Sequence, residues 1–165
     1  MNLTVIIPNY NGAQYLEQTL RSVSEDLCNS DQIIIIDDCS TDNSIGQIQK
    51  FIKTKKIEIK LVNLPKNSGG PAYPRNIGIK FAENDIICFF DNDDIWLKGR
   101  RNIIMDIFNE TNADAVFTNI HDNTKIYPSY IEGNKGYRYL SRFRIALLNE
   151  LKLSTSAIRK NILEG

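Results

Sequence analysis

The chain has 165 residues, 42% of them hydrophobic, enough for one domain with a substantial core. Its 20 Lys and Arg offset 20 Asp and Glu, so the formal net charge is zero and no basic surface points to nucleic acid. Cys28, Cys39 and Cys88 make an odd count without metal-ligand spacing, and read as reduced thiols of a cytoplasmic protein. The opening Met1-Asn2-Leu3-Thr4 lacks the basic and long apolar segments of a signal peptide, and no stretch reaches the ~20 apolar residues that span a bilayer. A soluble protein is expected, one still able to work at the inner face of a membrane.

Leu3 to Ile7 reads as a buried strand, followed by a turn at Pro8-Asn9-Tyr10-Asn11-Gly12. Leu16, Leu20, Val23 and Leu27 recur at helical spacing and predict an amphipathic helix from Ala13 to Cys28. Ile33 to Ile36 is a second buried strand ending at Asp37-Asp38, and Ser40-Thr41-Asp42 can cap the next helix, whose apolar side is Ile45, Ile48 and Ile52. Ile57-Glu58-Ile59-Lys60-Leu61 alternates, as an edge strand with one wet face should. The loop from Asn63 to Pro71 carries Gly69-Gly70 and leads into a helix with Arg75, Asn76, Ile77 and Phe81. Ile86 to Phe90 forms the next buried strand, a helix follows around Ile103, Ile104 and Ile107, and Ala115 to Ile120 reads as a fifth strand. Beyond it the pattern loosens, with a helix expected from Tyr137 to Leu151.

This alternation of strand and helix argues for an α/β fold: a mainly parallel sheet flanked by helices. Right-handed crossovers open all the carboxyl ends of the strands on one side, where ligands of such sheets bind. The polar clusters fall at those ends: Asn9 to Asn11, Asp37 to Asp42, Asn67 to Gly70 and Asp91 to Asp94. Asp91, Asp93 and Asp94 crowd one strand end and repel one another unless something positive joins them. A hard divalent cation with oxygen ligands, Mn²⁺ or Mg²⁺, suits them, and a diphosphate is its usual companion. The bland reading, acids capping the next helix, does not explain four polar clusters on one rim.

Five segments in order resemble the GT-A type of family 2 glycosyltransferases. They are Val5-Ile6-Ile7-Pro8-Asn9-Tyr10-Asn11, Ile36-Asp37-Asp38-Cys39-Ser40-Thr41-Asp42, Asn67-Ser68-Gly69-Gly70, Arg75-Asn76 and Asp91-Asn92-Asp93-Asp94, with a weaker echo at Ser154-Thr155-Ser156. The resemblance implies a Rossmann-like GT-A nucleotide-binding half and sugar transfer, mostly inverting, from a UDP-sugar donor to a cell-surface glycan or lipid-linked acceptor. By position, Pro8, Tyr10 and Asn11 form the first nucleotide-contacting turn, with Tyr10 near the base. Asp38 accepts a hydrogen bond from the uracil, while Asp37 holds its loop in shape. Asn67 and Gly69 belong to the loop closing on the base, and Arg75 and Asn76 face the nucleotide. Asp91 and Asp93 form the Asp-x-Asp motif and are the expected metal residues, Asp93 binding the metal directly and Asp91 nearer the ribose, with Asn92 among the substrate-binding residues. Cys39 stands where many relatives have glycine.

On this reading residues 1–120 are the nucleotide-sugar-binding core and residues 121–165 the start of the acceptor side, so the chain reads as a fragment whose general base is expected beyond Gly165. The alternatives are a non-catalytic nucleotide-sugar-binding fragment and a phosphoryl-transfer protein. The second is disfavoured because receivers and haloacid-type phosphatases place their acids after the first strand. Trp96 reads as a packing anchor, and His121 stays outside the site. The basic, aromatic segment Lys135 to Arg144 reads as a helix covering the sheet, with a rest on anionic lipid as the other reading. The sequence leaves oligomeric state open.

Overall fold

The structure is a computed structural model that describes residues 1–118 and 155–163. Every residue of β1 (Leu3–Asn9), β2 (Gln32–Asp37) and β4 (Ile86–Phe89) is buried. Strands without a polar face belong in mid-sheet under helices, and that is where they lie. β1 runs parallel to β2, Val5 opposite Ile33 and Asn9 opposite Asp37, and on its other side parallel to β4. β3 (Glu58–Asn63), exposed at both ends, takes the edge beside β2.

Alternation along the strands sends side chains to two cores. Leu3, Val5, Ile7, Ile33 and Ile35 pack with α1 (Leu16–Asp26), α2 (Ser44–Ile52) and α4 (Arg100–Glu110) through Leu16, Leu20, Val23, Ile48, Ile104 and Phe108. Ile6, Ile34, Ile36, Ile87 and Phe89 face the other way, against α3 (Ala72–Phe81) and its Ile77 and Ile79. α3 lies close because Gly78 has no side chain; a Cβ there would sit 2.4 Å from Ile6 Cγ2.

The sheet order is β3-β2-β1-β4-β6-β5, the expected mainly parallel sheet flanked by helices. One strand was not anticipated. β6 (Ser156–Arg159) inserts antiparallel between β4 and β5 (Ala115–Phe117), pairing Ile87 with Ile158 and Val116 with Ala157. The short α5 (Lys160–Leu163) follows. The expected fifth strand is thus split from β4 by a later segment. α1 starts at Leu16 and not at Ala13, preceded by a tight turn in which the N–H groups of Tyr15 and Leu16 both donate to the Gly12 carbonyl at 3.0 Å. The expected helix from Tyr137 to Leu151, His121, the Lys135–Arg144 segment, Ser154 and the strand residues 119–120 lie outside the described residues.

A polar clamp fixes the chain behind the acidic loop. Asp26, at the end of α1, accepts from Gly99 N at 2.6 Å, Trp96 Nε1 at 2.8 Å and Arg101 N at 2.9 Å. Burial pushes the Asp26 carboxyl up, but these hydrogen bonds and the nearby Arg101 charge outweigh it and hold it below the usual carboxylate value. Trp96 is buried, edge-on to Phe90 at 5.3 Å, and is a packing anchor. Among the described residues no helix is long and apolar enough to cross a membrane.

Candidate active site

β1 has β2 on one side and β4 on the other, so the strand order turns at its carboxyl end. A crevice forms at such a point because neighbouring crossovers leave in opposite directions. Here it is a cleft of about 400 Å³. Pro8 and Asn9 line it from the end of β1 and Tyr10 from just beyond it, Asp38 from just after β2, and Asn67, Gly69, Gly70 and Pro71 from the loop before α3. Pro74 and Arg75 of α3 and Asp91, Asn92 and Asp93 after β4 complete the wall.

A buried hydrogen-bonded chain ties three strand ends together. Asn92 Nδ2 donates to Asn9 Oδ1 at 2.8 Å, and Asn9 Nδ2 donates to Asp37 Oδ1 at 2.7 Å. Asp37 also accepts from Ser40, through N–H at 2.9 Å and hydroxyl at 2.6 Å. Asp37 therefore holds its loop in shape, the role expected of it. Asn11 takes a left-handed backbone at φ 50° and braces the same loop, its Oδ1 accepting from Thr41 N at 2.8 Å and Asp42 N at 3.3 Å. Burial pushes the Asp42 carboxyl up, yet hydrogen bonds from Ser44 and Ala13 hold it below its ordinary value. Cys39 is also left-handed, at φ 65°. Glycine adopts that conformation without steric cost, which explains why glycine suits the position.

Asp38 is buried, and its carboxylate is met by Ser68: the N–H lies 2.9 Å from Oδ1 and 3.0 Å from Oδ2, the hydroxyl 2.9 Å from Oδ2. Asn67 Nδ2 reaches the Asp38 carbonyl at 3.1 Å, so the β3–α3 loop is pinned over β2 at two points. Across the cleft the mostly buried Arg75 forms an ion pair with Asp91. The positive partner that the crowded acids call for is supplied, in part, by the chain itself. Asp91, one of the two expected metal residues, thus has a guanidinium delivered to it by α3. The Arg75 Nε is buried without a hydrogen-bond partner among the described residues.

Of the expected site residues, Pro8, Tyr10, Asp38, Asn67, Gly69, Arg75, Asp91, Asn92 and Asp93 meet in this cleft. Asn11 and Asn76 do not line it: Asn11 is engaged with the β2–α2 loop, and Asn76 is exposed on α3. Asn9, Ser40 and Ser68 were missed as site residues. Asn9 carried a signal, a polar residue ending a mainly apolar strand, whereas Ser40 and Ser68 belong to the motif segments but show their carboxylate partners only once the fold has formed. Among the described residues no three His, Cys, Asp or Glu converge as a metal shell. Asp93, exposed at the cleft mouth, still offers a hard oxygen donor of the kind that Mn²⁺ or Mg²⁺ takes alongside substrate phosphates.

The profile of Glycosyl transferase family 2 matches residues 4–161. The chain belongs to that family. Among curated family relatives, the poly(ribitol-phosphate) beta-N-acetylglucosaminyltransferase TarS of Staphylococcus aureus is 36% identical over 96 residues, which are 57% of this chain and 16% of that protein. The teichoic acid poly(glycerol phosphate) polymerase of Staphylococcus epidermidis is 29% identical over 158 residues, 96% of this chain and 20% of the polymerase. The crystal structure of S. aureus TarS 1-349 in complex with UDP-GlcNAc is similar at a TM-score of 0.83 and 28% identity, covering 99% of this chain and 47% of that one. The chain thus spans about half of that solved TarS structure and a smaller share of the full-length relatives.

Proposed function

We propose that the chain is the donor-binding part of a glycosyltransferase that takes a sugar from a UDP-sugar and passes it, with inversion, to a cell-surface glycan or lipid-linked acceptor. The observation that carries this reading is the meeting in one cleft of the buried Asp38 carboxylate, the Arg75–Asp91 pair and the open Asp93. One end is built to read a hydrogen-bond donor on a base; the other presents charge suited to a diphosphate and its cation. The poly(ribitol-phosphate) and teichoic acid polymers named for the relatives, and the UDP-GlcNAc held by TarS, support the choice of donor and acceptor class.

In this reading residues 1–120 form the donor core and residues 121–165 begin the acceptor side. Asp38 accepts the uracil N3–H, and Tyr10, 52% exposed at the cleft edge, lies against the base. Pro8 and Asn11 shape the turn beneath it, and Asn67 and Gly69 close over it. Arg75 faces the nucleotide and offers its unused Nε–H to a phosphate oxygen, while Asn76, exposed on α3, stays outside the cleft lining. Asp91 and Asn92 take the ribose side, and Asp93, with Asp91, holds Mn²⁺ or Mg²⁺. Such a cation neutralises charge on the leaving diphosphate when bound. The general base is not assigned to any described residue. The enzyme works in the cytoplasm, where nucleotide-sugars are made, on acceptors at the inner membrane face.

Calorimetric titration of UDP, dTDP, GDP and CDP in Mn²⁺ tests this reading. Ionised Asp38 can only accept, so it favours uracil, whose N3–H donates, over cytosine, whose N3 is a bare acceptor. The expected order is UDP, then dTDP, then GDP, with CDP weakest by roughly tenfold or more. Asp38→Asn should flatten that order, because an amide can also donate. CDP binding as tightly as UDP would remove Asp38 from base recognition.

A further inference from the structure

Base discrimination depends on how the Asp38 carboxylate is held, and the three described hydrogen-bond contacts to its oxygens all come from Ser68, a residue without an assigned role. The N–H of Ser68 straddles the two oxygens at 2.9 and 3.0 Å, and the hydroxyl reaches Oδ2 at 2.9 Å. That hydroxyl is also 3.1 Å from the Gly70 carbonyl, but it has one proton, and the charged acceptor is the stronger. A carboxylate has about four lone-pair sites, so Oδ2 is largely occupied and Oδ1, which only shares the N–H, remains the open one. The loop that carries Ser68 is itself fixed. Asn67 donates to the Asp38 carbonyl at 3.1 Å and accepts from Gly69 N at 2.8 Å, and Gly69 turns the chain through a left-handed φ of 86°.

We propose that Ser68 is the positioning residue of base recognition: it orients Asp38 so that one oxygen faces the cleft as an acceptor for a pyrimidine carrying a ring N–H. This rests on the donor-site reading given above, and adds to it the residue that enforces the choice. Without the hydroxyl, the carboxylate can turn about its Cβ–Cγ bond. It then accepts the uracil N–H in poorer geometry, and it can swing away from the lone pair that a cytosine presents. UDP therefore weakens while CDP does not.

The test compares Ser68→Ala, Ser68→Gly and Ser68→Thr with the wild-type chain in titrations of UDP and CDP with Mn²⁺. Both Ala and Gly keep the backbone N–H, and Ser68 is exposed, so the readout survives if one of them folds poorly. The UDP-over-CDP preference should drop by about five- to tenfold in either, from loss of one charge-assisted hydrogen bond, and Thr should restore it. A preference unchanged in Ala and Gly, an equal weakening of both nucleotides, or a failure of Thr to restore it would each overturn the role of Ser68. Absence of any UDP preference in the wild-type chain would instead sink the donor-site reading beneath it.

Discussion

Gly12 offers the sharpest test of how the strand ends are joined. Its N–H donates to Ser44 Oγ at 3.1 Å, and its carbonyl holds the turn that starts α1. A Cβ added there would fall 2.1 Å from Asn92 Nδ2 and 2.4 Å from Asn9 Oδ1, the two atoms of the 2.8 Å hydrogen bond between those side chains. Gly12→Ala must therefore part the pair or move the turn. Overpacking alone costs about 1–3 kcal/mol. Leaving a buried amide group unsatisfied costs about 1–3 kcal/mol, and since both losses concern one contact they overlap to roughly 2–4 kcal/mol in all. For a chain of this size that is a fall of roughly 5–15 °C in Tm. Urea denaturation of Gly12→Ala, Asn92→Gly and the double variant measures it. Removing the Asn92 side chain first should reduce the cost of the alanine by at least about 1 kcal/mol, the coupling expected of neighbours. A Gly12→Ala loss below about 0.5 kcal/mol, or full additivity with Asn92→Gly, would refute the bridge as the reason for the glycine.

Further outcomes follow from the same geometry. Mn²⁺ and UDP together should raise Tm more than the sum of each alone, a ligand at a hundredfold excess over its Kd adding about 2.7 kcal/mol, and Asp93→Ala should abolish that synergy in a thermal-shift assay. Cys39→Gly should stabilise by about 0.5–1 kcal/mol in chemical denaturation by relieving the left-handed backbone, whereas Cys39→Val should cost about 1–2 kcal/mol. Asp26 has a folded-state pKa below its unfolded value, so its contribution is full above the ordinary carboxylate range and is lost as pH falls through the lower folded value. The Tm gap between wild type and Asp26→Asn should accordingly narrow as pH is lowered from about 6 to about 3.

The sequence by itself determined the fold class, because burial on both faces can be read from unbroken apolar runs such as Ile33 to Ile36 and Ile86 to Phe90. It also determined where the rim lies, since polar residues that end such runs must leave the core together on one side of a parallel sheet. Asp38, Arg75, Asp91 and Asp93 were nameable on that ground together with the motifs they belong to. Tertiary structure alone decided β6, whose four residues Ser-Ala-Ile-Arg have no periodicity of their own and gain strand form by pairing with β4 and β5. It also decided which charges meet. Arg75 reaches Asp91 across 16 positions, Ser68 reaches Asp38 across 30, and Asn92 reaches Asn9 across 83. Local sequence carries propensity and pattern, but a hydrogen bond between distant side chains exists only after the sheet has closed the distance. The acids at Asp91 to Asp94 thus announced a need for positive charge, and only the packing of α3 against β1 showed that an arginine meets part of it.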